Sequence, residues 1–229
     1  MSAPGLDPTA VTLIVIAKEP VPGRAKTRLA PALGADGAAE LAAAALADTL
    51  ACVCEAARSG GHPVLLALEG EPGPWLPSSP PAPPIRITPQ RGAGLGERLA
   101  AAFDDAGGPA FLVGMDTPQL DPETIAAGVA ALCAPGTDAV LGPAVDGGYW
   151  AIGLREPDPR LFAGVPMSAG DTGARQLDAL TAAGLRVTEL GVLVDVDEIA
   201  DAEQVAAAAP GSRFAAALAR RHVPEVGDE

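Results

Sequence analysis

Aromatic side chains are scarce: one tyrosine, two tryptophans and four phenylalanines make up 3% of a 229-residue chain that is 48% hydrophobic. A core without many large rings has to be filled by aliphatic and small side chains, so helices packed on strands through Ala, Leu and Val are expected. Cysteine is scarcer still, at three, an odd number in a chain too long to need disulfide staples. Cys52, Cys54 and Cys133 therefore read as reduced thiols. Cys52 and Cys54 fall on different faces of an expected helix, without zinc-ligand spacing, and packing is their expected role. His62 and His222 lie outside every polar cluster, which leaves Ser-His-Asp chemistry without support. Lys and Arg number 15 against 29 acids, a formal net charge of -14. Extended contact with a phosphate backbone needs clustered bases, so no nucleic-acid partner is expected.

The chain also shows no apolar run long enough to span a bilayer, and no signal peptide: its polar start lacks Lys and Arg, and the apolar run that follows, 11–17, is short. A soluble, cytoplasmic protein without a membrane partner is expected, folded as one domain over residues 1–229.

What is present is a regular alternation. Residues 11–17, VTLIVIA, are β-branched and nearly continuous, the pattern of a strand buried on both faces. A Pro/Gly loop over 18–34 leads to an Ala/Leu-rich helix over 36–58 that ends at Ser59-Gly60-Gly61. Further strands are expected at 62–70, 85–88, 109–114, 139–142, 149–154 and 185–190, and further helices at 95–106, from Asp121 to about 133, and at 171–183. Asp121-Pro122-Glu123 combines an N-cap, a first-turn proline and a first-turn acid. Residues 70–84, GEPGPWLPSSPPAPP, deny both helix and ladder pairing and read as an exposed, partly polyproline II connection, with Trp75 as its packing anchor. Two short Ala-rich helices end the chain. Strands alternating with helices imply an α/β fold, a three-layer αβα sandwich around a mostly parallel sheet whose ligands bind at the carboxyl ends of the strands.

Five clusters follow those strand ends. Residues 18–29, KEPVPGRAKTRL, gather Lys18, Arg24, Lys26 and Arg28 around Pro20, Pro22 and Gly23. Glycine lets such a loop approach a ligand closely, Lys26 neutralises phosphate as a point charge, and Arg28 does so as a planar fork. It is not a Walker A loop, because Pro20 and Ala25 occupy the glycine positions. Residues 90–99, with Gln90, Gly92, Gly94, Gly96 and Arg98, mimic a dinucleotide fingerprint, but Glu97 holds its third glycine position. Asp116 leaves the end of the strand at 109–114, where a carboxylate can hold Mg²⁺ or Mn²⁺ while phosphate oxygens and water complete the shell. Asp146-Gly147-Gly148-Tyr149-Trp150 places bulky rings beside a backbone open to close approach, and also suits an ordinary hairpin. In Val194-Asp195-Val196-Asp197, strand alternation would put both carboxylates on one face, suiting a metal contact or a solvated edge equally.

Taken in order, these segments resemble the GT-A-type nucleotide-diphospho-sugar transferase superfamily, and more narrowly a glycosyltransferase-A-like family akin to molybdenum-cofactor, phospholactate and phosphoenolpyruvate guanylyltransferases. The resemblance covers roughly 11–207. It rests on KxPxxGxxKTRL, matched at Lys18, Pro20, Gly23, Lys26, Thr27, Arg28 and Leu29, on GxDxPxL around Asp116, and on GPAxDGGYxxIGL over 142–154. QxGxxLGxRL is met at Gln90, Gly92, Leu95, Gly96 and Arg98. Glu198-Ile199-Ala200 stands where Thr-Pro-Glu usually follows the DVD segment, Met115 where a small or hydroxyl residue is common, and Met167 where tryptophan is expected.

The resemblance implies a Rossmann-like GT-A fold with Asp116 as a divalent-metal ligand. The reading that follows is a Mg²⁺-dependent nucleotidyltransferase that moves a nucleoside monophosphate from a nucleoside triphosphate to a small anionic acceptor, with Lys26, Arg28 and Asp116 catalytic. Lys18, Pro20, Gly23, Thr27, Gln90, Gly92, Arg98, Asp146, Gly147, Gly148 and Tyr149 are expected to bind the nucleotide, and Asp195 and Asp197 to assist Asp116 at the metal. Glycosyl transfer from a nucleotide sugar, and silent nucleotide binding, are the alternatives.

Overall fold

The structure, a computed structural model, describes residues 10–77 and 84–221. The polar N-terminus, residues 78–83 of the proline-rich connection and His222 lie outside them. Seven strands form one sheet in the order β3-β2-β1-β4-β6-β5-β7: β1 Thr12–Lys18, β2 Val64–Glu69, β3 Ile85–Pro89, β4 Ala110–Gly114, β5 Ala139–Pro143, β6 Tyr149–Leu154 and β7 Val187–Glu189. β1 pairs in parallel with β2 and β4, β2 with β3, and β5 with β7. β6 is antiparallel to both β4 and β5, so it alone runs against the other six. Its reversal has a consequence for function. The turn between β5 and β6 lies at the same edge as the carboxyl ends of β1, β2 and β4.

Alternation within β1 explains its central place. Val11, Leu13, Val15 and Ala17 join a core with Leu46, Leu50 and Val53 of α1 (Ala30–Gly60) and Ile125 and Val129 of α3 (Pro122–Cys133). Ile14 points the other way, into a second core with Leu99 and Phe103 of α2 (Leu95–Ala106) and Leu180 of α4 (Thr172–Ala182). A strand covered on both faces has no polar side to present, hence the unbroken apolar run. The three layers are as the sequence implies. A third cluster lies outside them, where Leu41 and Ala45 of α1 meet Ala202 and Val205 of α5 (Ile199–Ala208) and Phe214 and Leu218 of α6 (Arg213–Arg221).

Several local expectations are refined. The first helix begins at Ala30, but Gly34, at φ 72° and ψ 166°, breaks it, so regular helix follows that glycine. Its end at Gly61 adopts the left-handed conformation that suits a terminating glycine. By length and composition this helix could cross a bilayer, contrary to the sequence expectation, yet 67% of its apolar window is buried within the fold. Cys52 and Cys54 are buried, and burial pushes the Cys52 thiol up to about 12, as for a packing residue. Asp121 caps α3 by accepting a hydrogen bond from the Thr124 amide at 2.6 Å. Trp75 is buried against the first core.

Candidate functional site

A cleft of about 870 Å³ opens at the carboxyl edge of the sheet and draws lining residues from all five clusters. The β1 loop forms one wall. Ala25 and Leu29 are buried and anchor it, while Gly23, at φ 74°, supplies a left-handed turn that branched residues resist. Lys26 is also left-handed, at φ 48°, an uncommon state for a residue with a side chain. This conformation accompanies a specific placement. The Lys26 ammonium sits 2.5 Å from Asp116 Oδ1 and also donates to the Val196 carbonyl, with its side chain only 12% exposed. Arg28 forms an ion pair with Asp197 at the rim, where both side chains are more open to solvent.

The second strip of this wall is the start of α2. Arg98 pairs with Glu69 at 2.5 Å, and Lys18 approaches the same carboxylate at 3.7 Å. Burial would raise the Glu69 carboxyl, but the hydrogen bond from Arg98, helped by the charges of Lys18 and Arg24, holds it below its ordinary value. Gln90 also lines the cleft, yet its amide donates to the carbonyls of Ala17 and Ala67 at 2.8 and 3.1 Å. It stitches the ends of β1 and β2 together. Glu97, at the supposed glycine position, accepts from the Ala93 amide at 2.7 Å and closes the turn before the helix.

The opposite wall is acidic. Asp116 follows β4; its carbonyl accepts from the Val196 amide at 2.8 Å, which ties the 193–197 segment beside it. Asp146 Oδ1 accepts from the Gly148 amide at 2.7 Å, a local bond that shapes the turn. Gly147, at φ 87°, lies so close to Gly170 that a Cβ there would collide with the Gly170 carbonyl. The Gly173 amide donates to the Gly147 carbonyl at 2.8 Å, so the turn and the start of α4 are joined backbone to backbone. Asp195 is half-buried. Burial first, then the charges of Asp146 and Asp116, raise its carboxyl above the ordinary value against the opposing pull of Lys26.

Some sequence expectations change here. Residues 194–197 are not a strand: apart from an isolated bridge between Ala144 and Leu193, the segment is irregular. Its carboxylates consequently diverge in role, Asp195 lying among the other acids and Asp197 with Arg28. Glu198 begins α5 instead, its amide donating to Asp201 at 2.8 Å in a helix cap. Pro20, Gly23, Gly92 and Gly147 shape backbone without lining the cleft, whereas Lys18, Thr27, Arg98, Asp146, Gly148 and Tyr149 do line it. Among the described residues no three His, Cys, Asp or Glu side chains are assembled to hold a metal. Sequence reasoning missed Gln176, which is fully buried. Its amide donates to the Leu161 carbonyl at 2.8 Å, and its oxygen accepts from the Tyr149 hydroxyl at 3.5 Å, fixing that ring. A lone polar residue in a helix gave no sign of this. Ser168 lines the cleft as well, at φ 61°.

The profile of a family described as "Uncharacterized protein conserved in bacteria (DUF2064)" matches residues 40–169. No curated protein matches the sequence. Among solved structures, a candidate nucleotide-diphospho-sugar transferase from Desulfovibrio desulfuricans is 26% identical, with a TM-score of 0.78, and the match covers 92% of this chain and 94% of that one. CMP:2-keto-3-deoxy-manno-octonic acid synthetase, solved with CTP, shares the fold at 13% identity and a TM-score of 0.52, over 88% and 98% of the two chains. A candidate glucose-1-phosphate thymidylyltransferase from Bacillus anthracis does so at 12% and 0.54, over 90% and 99%.

Proposed function

We propose, on the premise that this chain belongs to the bacterial family DUF2064, that it moves a nucleotidyl group from a nucleoside triphosphate to a small acceptor and releases pyrophosphate. By fold and kinship it is a transferase of the GT-A-like nucleotide-diphospho-sugar transferase superfamily. The observation that carries the reading is the Lys26–Asp116 pair, which sets a phosphate-binding ammonium against a hard-oxygen carboxylate at the carboxyl edge of adjacent strands.

The acids fit a divalent cation. Asp195 gains charge against neighbouring carboxylates, a repulsion that a cation would relieve, and Mg²⁺ commonly takes one or two protein carboxylates. Asp116 and Asp195 would hold Mg²⁺ or Mn²⁺. Such an ion neutralises charge on the phosphate oxygens. Lys26 then turns from Asp116 to the phosphates, Arg28 and Arg98 flank them, and Tyr149, held by Gln176, walls the acceptor side.

Nucleotides should be screened by calorimetry with and without Mg²⁺, followed by pyrophosphate release in the presence of acceptors. Asp116→Ala should lower turnover on the order of 10³-fold, with folding retained by circular dichroism. Nucleotide binding that never yields pyrophosphate would remove the reading. The Desulfovibrio neighbour favours a second one, glycosyl transfer from a nucleotide sugar. Release of a nucleoside diphosphate would identify it.

A further inference from the structure

The charges that line the cleft are segregated. All its cations, Lys18, Arg24, Lys26, Arg28 and Arg98, come from the β1 loop and the start of α2. All its carboxylates, Asp116, Asp146, Asp195 and Asp197, come from β4 onward, and no lining residue in that stretch is basic. Two ion pairs cross between the walls, Lys26 with Asp116 and Arg28 with Asp197. Asp146 and Asp195 have no ion-pair partner among the described residues, though both line the cleft. Beside Asp146 the wall turns neutral, through Tyr149, Met167, Ser168 and Thr172.

A triphosphate claims the basic wall and leaves the acceptor to the acidic one. Phosphate recognition uses Arg and Lys forks or free backbone amides. The first two amides of α4 do not serve, since that of Gly173 is bonded to Gly147 and that of Thr172 to Ala169. A phosphorylated acceptor placed against Asp146 would meet a carboxylate that has no ion-pair partner among the described residues and that neither the metal-holding pair Asp116 and Asp195 nor Asp197 offsets, an arrangement that discriminates by repulsion. We infer that the acceptor is an uncharged hydroxyl compound, not a phosphate monoester, and that Asp146 receives it. This departs from the anionic acceptor expected from sequence, and it rests on the nucleotidyl-transfer reading above.

Asp146 is exposed at the tip of its turn and uses only Oδ1 in the bond to Gly148, so Oδ2 is available. In the step, the acceptor hydroxyl oxygen forms a bond to the α-phosphorus. The bond from that phosphorus to the bridging oxygen breaks, and pyrophosphate leaves with its electron pair. The hydroxyl proton passes to the Asp146 carboxylate and then to water. A phosphate acceptor already carries an anionic oxygen and would have no use for this carboxylate.

The test uses the full chain with Mg²⁺ and whichever triphosphate calorimetry shows to bind. Pyrophosphate release is followed with matched pairs of acceptors, each a polyol or sugar and its own phosphate monoester. The uncharged member should show kcat/KM at least tenfold higher, and Asp146→Asn should lower turnover roughly 10²-fold or more while nucleotide Kd moves less than twofold. A preference for the phosphate esters, or an Asp146→Asn variant within threefold of the parent, would overturn the acceptor assignment and leave nucleotidyl transfer standing. Asp146→Lys supplies a second readout, because a basic residue there should shift preference towards the esters. If no triphosphate binds, or if one binds and neither member of any pair releases pyrophosphate, both readings fall together.

Discussion

The two walls of the cleft are held by different forces. The basic wall depends on side chains: Lys26 on Asp116, Arg28 on Asp197, and Lys18 and Arg98 on Glu69. The acidic wall depends on backbone, through the contact of Gly147 with Gly170 and the bond from Gly173 to Gly147. Side-chain ion pairs can exchange one partner for another, whereas a backbone clamp has no alternative arrangement. One wall is therefore adaptable and occupied by its own counter-ions, while the other is preformed.

Breaking the clamp should have the largest effect. Gly147→Ala meets both a positive φ and the Gly170 carbonyl, and should cost about 4 kcal/mol or more, seen as a fall in melting temperature of roughly 10 °C. A variant that melts with the parent would show that the acidic wall is as yielding as its opposite. Lys26→Met should come next, weakening nucleotide binding roughly ten- to hundredfold. The same variant should bind Mn²⁺ more tightly than the parent when nucleotide is absent, because Asp116 loses the ammonium that competes for it. Equal metal affinity would mean that the pair does not compete, which contradicts the adaptable wall.

The smallest effect concerns the far edge of the sheet, where Arg186 bonds both oxygens of Asp138 beside β5 and β7. Those hydrogen bonds hold the Asp138 carboxyl well below its ordinary 3.8. A depressed folded value adds stability above the unfolded value and loses it as pH falls through the folded one. The stability gap between the parent and Asp138→Asn should accordingly be full at pH 7 and narrow below about pH 4. Urea titrations at several pH values would measure it, and a gap that does not change with pH would assign Asp138 a purely packing role.

Strands and helices were legible because periodicity and glycine or proline punctuation are local. The run at 11–17 predicted a doubly covered strand, and Asp121-Pro122-Glu123 predicted the start of α3; both are found. Apparent alternation misled at 194–197, where the Val196 amide bonds the Asp116 carbonyl and its carbonyl bonds Lys26, so no ladder forms. Gln90 was legible as a lining residue but not as a tie between β1 and β2, since its partners are carbonyls 23 and 73 residues away. The charge segregation was likewise invisible in a list of motifs. It appears only when β6 runs backwards and brings the Asp146 turn to the edge where β1 ends.

The clamp between Gly147 and the start of α4 also bears on motion. Because the chain there has no slack, any opening of the segment around Ser168 must carry the Asp146 turn with it. The Asp146 turn and the segment around Ser168 are in that sense one piece of the cleft, and not two walls that meet.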